Sequence, residues 1–266
     1  MIVKQLKRIL NTNDLINKTL QGKAPDFVGI GMPKAGTSWW YEAIINHPEV
    51  SPNNFGVKET CCLCHAWQSS SINTIKSAYF QSFGTTDNKL SGEWSTFYLT
   101  YPFALEYLAE IAPNTKILLI LRNPYDQILS HLNHIRNHRA KSFAFNDQEK
   151  NYVFDTFSVL PEVISNIQQL PNRLNKLFQL FDRSNVLILQ YERNCLESLV
   201  QIKKTYKFLG IDCDFVPSNI SERVNASPPD YKNELKLDLD KITDVSNEIS
   251  KKISLILPEI NTLYWE

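Results

Sequence analysis

The sequence predicts one α/β domain built on a single doubly wound parallel sheet flanked by helices. Three observations carry this. Short apolar runs alternate with helical stretches along the chain. The strongest run, Lys116-Ile117-Leu118-Leu119-Ile120-Leu121, is apolar on both faces, as a strand covered from both sides must be. The segment Gly31-Met32-Pro33-Lys34-Ala35-Gly36-Thr37-Ser38 lies between an apolar run and a helix start, where sheets of this kind bind ligands.

The elements follow in order. Met1 to Leu20 alternates polar and apolar residues, so residues 1–24 are expected to form an N-terminal helical extension within one domain, 1–266. Phe27-Val28-Gly29-Ile30 reads as a buried strand, and Trp39 to Asn46 as a helix. Pro48 to Asn88 is rich in Ser, Asn and Cys and is expected to be irregular, with one short helix from Ile72 to Phe83. Lys89 to Ser95 is the second strand, and Phe103 to Ala112 a helix stopped by Pro113. Beyond the Lys116–Leu121 strand, Pro124 opens a helix towards Arg139. A helix over Val163 to Phe181, a strand over Val186 to Leu189 and a helix from Leu196 to Leu209, closed by Gly210, come next. Pro217 to Asp230 reads as a loop across the top of the sheet. From Tyr231 the chain is helical, with a break at Pro258.

Composition narrows the function classes. Of 266 residues, 43% are hydrophobic and 21% charged, enough apolar material for a core and too little charge for a disordered chain. Lys plus Arg and Asp plus Glu number 28 each, so no global field favours nucleic acid or an acidic membrane. The five cysteines are odd in number, and three crowd at Cys61, Cys62 and Cys64, which fits a reducing compartment better than a disulfide framework. There is no signal-peptide core and no uninterrupted apolar span of membrane length, so a soluble cytoplasmic protein is expected.

The loop carries the chemistry. Gly31 and Gly36 keep the spacing of the nucleotide-triphosphatase motif G-x-x-x-x-G-K-[ST], but Thr37 occupies the lysine position and the lysine sits inside the loop, at Lys34. Backbone N–H groups of such a turn still face one anion. Arg122, closing the strong strand, offers a planar fork of donors suited to a phosphate monoester, and Ser130 lies two turns into the next helix.

Taken together, Pro33-Lys34-Ala35-Gly36-Thr37-Ser38-Trp39 and Arg122-Asn123-Pro124, with Ser130 eight residues after Arg122, resemble the paired signatures of sulfotransferases that use 3′-phosphoadenosine 5′-phosphosulfate (PAPS). Lys58-Glu59, Gly92-Glu93-Trp94-Ser95, Val186 to Glu192, Val224-Asn225-Ala226-Ser227 and Leu257-Pro258-Glu259-Ile260 extend the likeness along most of the chain. The resemblance implies the P-loop nucleotide-triphosphatase-like sulfotransferase fold. It implies that Lys34 binds the bridging oxygen between phosphate and sulfate, while Ala35, Gly36, Thr37 and Ser38 hold the 5′-phosphate. Arg122 and Ser130 would take the 3′-phosphate, Trp39 would stack on adenine, and Tyr191 would add a further nucleotide contact. Arg223, in Ser221 to Ser227, would lie in a loop closing over the nucleotide.

Transfer also needs a base for the acceptor's proton. By resemblance to carbohydrate-type members, which place a Lys-Glu pair after the first helix, that base is Glu59. Cys61-Cys62-Leu63 replaces the aromatic residues usual there, and His65 and Glu93 are the reserve candidates. No metal is expected: the Walker lysine and a strand-end aspartate are missing, and Cys61, Cys62, Cys64 and His65 lack a second ligand pair. His131, His134 and His138 share a helical face and read as a packing or solvated face. The acceptor is expected to be a small molecule with a hydroxyl or amine, natural-product or sugar-like, held in a pocket walled by Trp40 to Trp67. A P-loop kinase or nucleotide hydrolase, and a catalytically silent nucleotide-binding module, are the competing classes.

Overall fold

The computed structural model describes residues 22–68, 71–84, 88–142, 156–221 and 238–265, with the side chains of 65, 67, 68, 136–142 and 156–158 excepted. Its centre is β1 (Phe27–Gly31), which pairs in parallel with β3 (Leu90–Trp94) on one side and β4 (Lys116–Leu121) on the other. β2 (Val50–Ser51) extends the sheet beyond β3, and β5 (Val186–Gln190) extends it beyond β4. The five strands run in the order β2-β3-β1-β4-β5, so the direction of winding reverses at β1. The crevice at such a reversal opens beyond the carboxyl ends of the strands. Here the Gly31–Ser38 loop occupies it.

β1, β4 and β5 form where the sequence is largely apolar on both faces. All five residues of β1 and five of the six in β4 are buried. Gly29 is required by close approach: it is paired with Trp94, and a Cβ at Gly29 would lie 2.0 Å from the Trp94 ring. The space lets the Trp94 indole N–H reach the Gly31 carbonyl at 3.1 Å, bracing the end of β1 where the loop leaves.

The helices are α1 (Thr37–Ile45), α2 (Ile72–Phe80), α3 (Pro102–Ile111), α4 (Pro124–Ser142), α5 (Thr156–Gln168), α6 (Leu170–Leu180), α7 (Tyr191–Leu196), α8 (Ser198–Leu209) and α9 (Leu239–Ile256). They form two packed groups. α1 lies against α8, where the Trp40 indole donates to Thr205 Oγ1 at 3.1 Å and the Tyr206 hydroxyl to the Ala43 carbonyl at 2.8 Å. In the second group α9 packs against α4, α5 and α6, and α3 packs on α6. Ile242, Ser246, Ile249 and Ile253 give α9 one buried stripe at helical spacing. Asp238 caps its start by accepting from the Lys241 N–H.

The structure departs from the sequence reading in three places. The helix expected from Val163 to Phe181 is two, α5 and α6, because Pro171 lies in the first turn of α6 and cannot continue the helix before it. The helix expected from Leu196 is preceded by α7, and Glu197 separates α7 from α8 with a non-helical backbone at φ −128°, ψ 40°. The stretch read as irregular contains β2, whose two residues are too few to show a periodicity. The N-terminal helix over Met1 to Leu20, Arg223, most of the Pro217–Asp230 loop and the helix start at Tyr231 lie outside the described residues.

Candidate active site

The loop is built from two left-handed backbone positions, Lys34 at φ 65° and Gly36 at φ 74°. Gly36 has a second reason to be glycine, since a Cβ there would meet the Tyr191 ring at 2.9 Å. The loop is held from β4 and α4. Met32 N–H donates to the Ile120 carbonyl at 3.0 Å, Gln127 Nε2 to the Pro33 carbonyl at 3.1 Å, and Arg122 Nη1 to the Lys34 carbonyl at 2.8 Å. The first intrahelical bond of α1 runs from Trp40 N–H to the Gly36 carbonyl. The N–H groups of Thr37, Ser38 and Trp39 therefore have no acceptor one turn back and mark the positive end of the helix dipole.

Three cations converge on this loop. Lys34 is held below the usual lysine range, first by burial and then by the charges of Arg122 and Lys58. Lys58 Nζ donates to both Thr37 Oγ1 and Ser38 Oγ at 3.1 Å. The Arg122 guanidinium stacks 4.6 Å from the centre of the Tyr191 ring, and its buried Nε–H has no hydrogen-bond partner. A buried unsatisfied donor costs about 1–3 kcal/mol unless something accepts from it. Burial beside two like charges disfavours the Lys34 ammonium, and an anion in the loop would favour it again. The donor set fits a phosphorylated nucleotide: cations, helix-start N–H groups and hydroxyls, with no cluster of metal-binding groups among the described residues.

Asn123 and Glu192 hold this end of the site in place. The Asn123 side chain caps α4 by accepting from the Tyr125 N–H at 2.9 Å, and its backbone N–H donates to Glu192 Oε1 at 2.9 Å. Glu192 also accepts from the Trp265 indole at 2.9 Å. Burial pushes its carboxyl up, and those hydrogen bonds oppose the shift. Ser130 is buried on α4, 3% exposed. Trp39 is also 3% exposed and stands edge-on to Trp40 at 5.2 Å, so its ring faces the core.

Glu59 and Glu93, both candidates for the base, have opposite surroundings. Glu59 is partly exposed; Oε1 pairs with Lys58 Nζ at 2.9 Å and Oε2 accepts from Thr96 Oγ1 at 3.2 Å. Because Lys58 also touches Thr37 and Ser38, Glu59 stands one side chain from the loop. Glu93 is 0% exposed and accepts from Thr60 N–H and Oγ1, Ser95 Oγ, and the hydroxyls of Tyr79 and Tyr98, all at 2.6–2.8 Å. Five donors saturate it, and full burial keeps it from meeting an acceptor as a base. Burial, then the Glu93 charge, holds both tyrosine hydroxyls well above the usual phenol range. Glu93→Ala strands all five donors and is expected to cost about 3 kcal/mol or more of stability, read as a lower denaturation midpoint. His65 belongs to the 3₁₀ turn Cys62–Gln68, and its side chain is outside the described residues.

A cavity of about 260 Å³ opens beside the loop between α4 and α5, lined by Met32, Pro33, Thr100, His131 and Val163 among others. Trp40, expected to help wall an acceptor pocket, is fully buried and does not line this cavity. A larger one of about 390 Å³ lies at the amino ends of β1 and β4, beside Asp26 and Lys116, on the wrong edge of the sheet for ligand chemistry. In the smaller cavity, burial followed by the charges of His134 and Lys34 pushes His131 down to about 4 from 6.5. Between those values the unfolded chain binds more protons, so stability falls as pH drops through that window. Tm is expected to fall more from about pH 7 to about pH 5 in the native chain than in His131→Leu. Equal losses would place the sensitivity elsewhere.

The fold and the loop define a parallel α/β class with an anion-binding turn at the winding reversal, and comparison with known proteins gives the family. The family model for the sulfotransferase domain matches residues 24–228, and the chain belongs to that family. A sulfotransferase from Alicyclobacillus acidocaldarius superposes with a TM-score of 0.65 at 18% identity, over 92% of this chain and 100% of that one. Mouse sulfotransferase SULT7A1 complexed with PAP superposes with a TM-score of 0.51 at 13% identity, over 91% of this chain and 88% of that one. Membrane-associated sulfotransferase kil1 of Dictyostelium discoideum is 26% identical over 106 residues, 40% of this chain and only 22% of that relative's length. No helix among the described residues is long and apolar enough to cross a membrane.

Proposed function

We propose that the protein moves a sulfuryl group from PAPS to a hydroxyl or amine of a small-molecule acceptor of natural-product or sugar-like type, without a metal. The observation that carries this reading is the convergence of Lys34, Lys58 and Arg122 on a glycine-turned loop at the winding reversal, with Glu59 tethered to Lys58. Lys34 neutralises charge that builds on the bridging oxygen as the sulfur–oxygen bond breaks, and such a pre-placed cation acts mainly in the transition state. Glu59 takes the acceptor proton as the new bond to sulfur forms. Arg122, its Nε–H free to donate, and Ser130 bind the 3′-phosphate, while Thr37, Ser38 and the helix-start N–H groups bind the 5′-phosphate. The acceptor enters by the cavity beside Pro33 and His131. An odd set of five cysteines, three of them crowded together, favours a reducing compartment such as the cytoplasm, and the residues proposed for the reaction fall in one domain, 1–266.

The test is a screen of hydroxyl- and amine-bearing small molecules with isotopically labelled PAPS, read as mass gain on the acceptor and release of 3′-phosphoadenosine 5′-phosphate (PAP). Acceptor-dependent label transfer supports the proposal. Phosphoryl transfer from ATP with magnesium, and none from PAPS, would replace it with a kinase. PAP binding without turnover on any acceptor would leave a nucleotide-binding module.

A further inference from the structure

Cys61, Cys62 and Cys64 play no part in the proposed transfer, yet they follow directly on Lys58, Glu59 and Thr60. The stretch is tightly built. The Cys61 N–H donates to Ser95 Oγ at 3.0 Å, the Cys62 N–H to Thr60 Oγ1 at 3.3 Å, and the Cys64 N–H to the Cys61 carbonyl at 3.1 Å. That last bond closes a turn that brings residues 61 and 64 together, with Cys61 itself in the left-handed region at φ 49°. The two thiols lie close enough to bias each other's protonation. Cys61 and Cys62 are half-buried and Cys64 is buried.

We propose that Cys61 and Cys64, a Cys-x-x-Cys pair that one backbone turn brings together, form a thiol–disulfide exchange site whose oxidant is a low-molecular-weight disulfide of the glutathione class. The environment assigns the two thiols different parts. The neighbouring Cys64 thiol holds the Cys61 thiol below its usual range against the opposing effect of burial. That same pairing, then burial, pushes Cys64 up, and burial pushes Cys62 up to about 12. The thiolate is the attacking species. Cys61 therefore attacks one sulfur of the small disulfide, forming a mixed disulfide and releasing one small thiolate. Cys64 then gives up its proton and attacks the Cys61 sulfur, expelling the second small thiol. Two protein thiols are oxidised and one small disulfide is reduced to two thiols.

The turn so linked begins two residues after Glu59. Joining the two thiols by a covalent bond draws the two sulfurs together and pulls Cys61 against its Ser95 anchor, which shifts the backbone of Glu59. Oxidation is therefore expected to lower kcat severalfold. This consequence rests on the role proposed for Glu59; the chemistry at the thiols does not.

The experiment treats the full chain with oxidised glutathione in a defined redox buffer, followed by acid quench, alkylation and peptide mapping by mass spectrometry. The expected product has lost two hydrogens and carries a Cys61–Cys64 link. Cys64→Ser is expected to accumulate glutathione on Cys61, and Cys62→Ser to link like the native chain. Cys61 and Cys64 both remaining alkylated in the native chain would overturn the proposal. So would a link through Cys62, or an adduct confined to Cys195 or Cys213. A Cys61–Cys64 link with unchanged kcat would uphold the exchange site and count against Glu59 alone.

Discussion

Replacing Lys34 with alanine is expected to lower kcat for sulfuryl transfer by about 10²–10³-fold, the usual loss when one preorganised electrostatic partner of a transition state is removed. Affinity for PAP, which lacks the sulfate, should change much less. The structure makes this a clean substitution. The Lys34 carbonyl, not its side chain, accepts the loop-holding bond from Arg122, so that bond survives. Alanine and lysine share a Cβ, so the left-handed φ of 65° costs no more in the variant than in the native chain. Removing the ammonium also relieves repulsion from Arg122 and Lys58, so folding stability should hold or rise. Single-turnover kinetics beside PAP titration separate the two effects. A parallel loss of kcat and PAP affinity would show that Lys34 binds the nucleotide uniformly and does not act on the leaving group.

Glu59→Gln is the second large effect, a loss in kcat of about 10²–10⁴-fold with PAP affinity preserved. Glutamine is the informative replacement because its carbonyl oxygen can still accept from Lys58 or Thr96. Lys58 therefore stays on Thr37 and Ser38, and the phosphate loop keeps its shape. Only the capacity to take a proton is lost. Turnover near the native rate would move the base to another group, and the saturated Glu93 is not available for the part. His65 would then be the first to substitute.

Most of the fold could be read because β1, β4 and β5 are largely apolar runs, buried on both faces, and leave no alternation to misread. What escaped depended on single residues whose effect is tertiary. Pro171 divides one helical pattern into α5 and α6, and Glu197 turns the chain between α7 and α8 without a glycine or proline to announce it. In the site, Lys34 and Arg122 stood out because a cation inside a glycine-bounded loop and an arginine closing a strand are unusual on local grounds. The part of Lys58 as a bridge between Glu59 and the loop was not visible, since it depends on the Thr37 and Ser38 hydroxyls 21 and 20 residues earlier. Glu192 was hidden for a similar reason: its partners, Asn123 and Trp265, are 69 and 73 residues away. Glu93 misled because a carboxylate near a strand end reads as accessible, and only the packing reveals Tyr79, Tyr98, Thr60 and Ser95 around it.

The central claim is that the loop around Lys34 holds a 3′-phosphorylated adenine nucleotide and needs no metal to do so. Thermal unfolding in the presence of PAP, of ATP, and of ATP with magnesium tests it most directly, since a ligand that binds only the folded chain raises Tm in proportion to its affinity. A clear rise with PAP is expected, unaltered by a chelator and lost in Arg122→Ala, with a smaller response to ATP. Stabilisation by ATP–magnesium alone, with none from PAP, would contradict it.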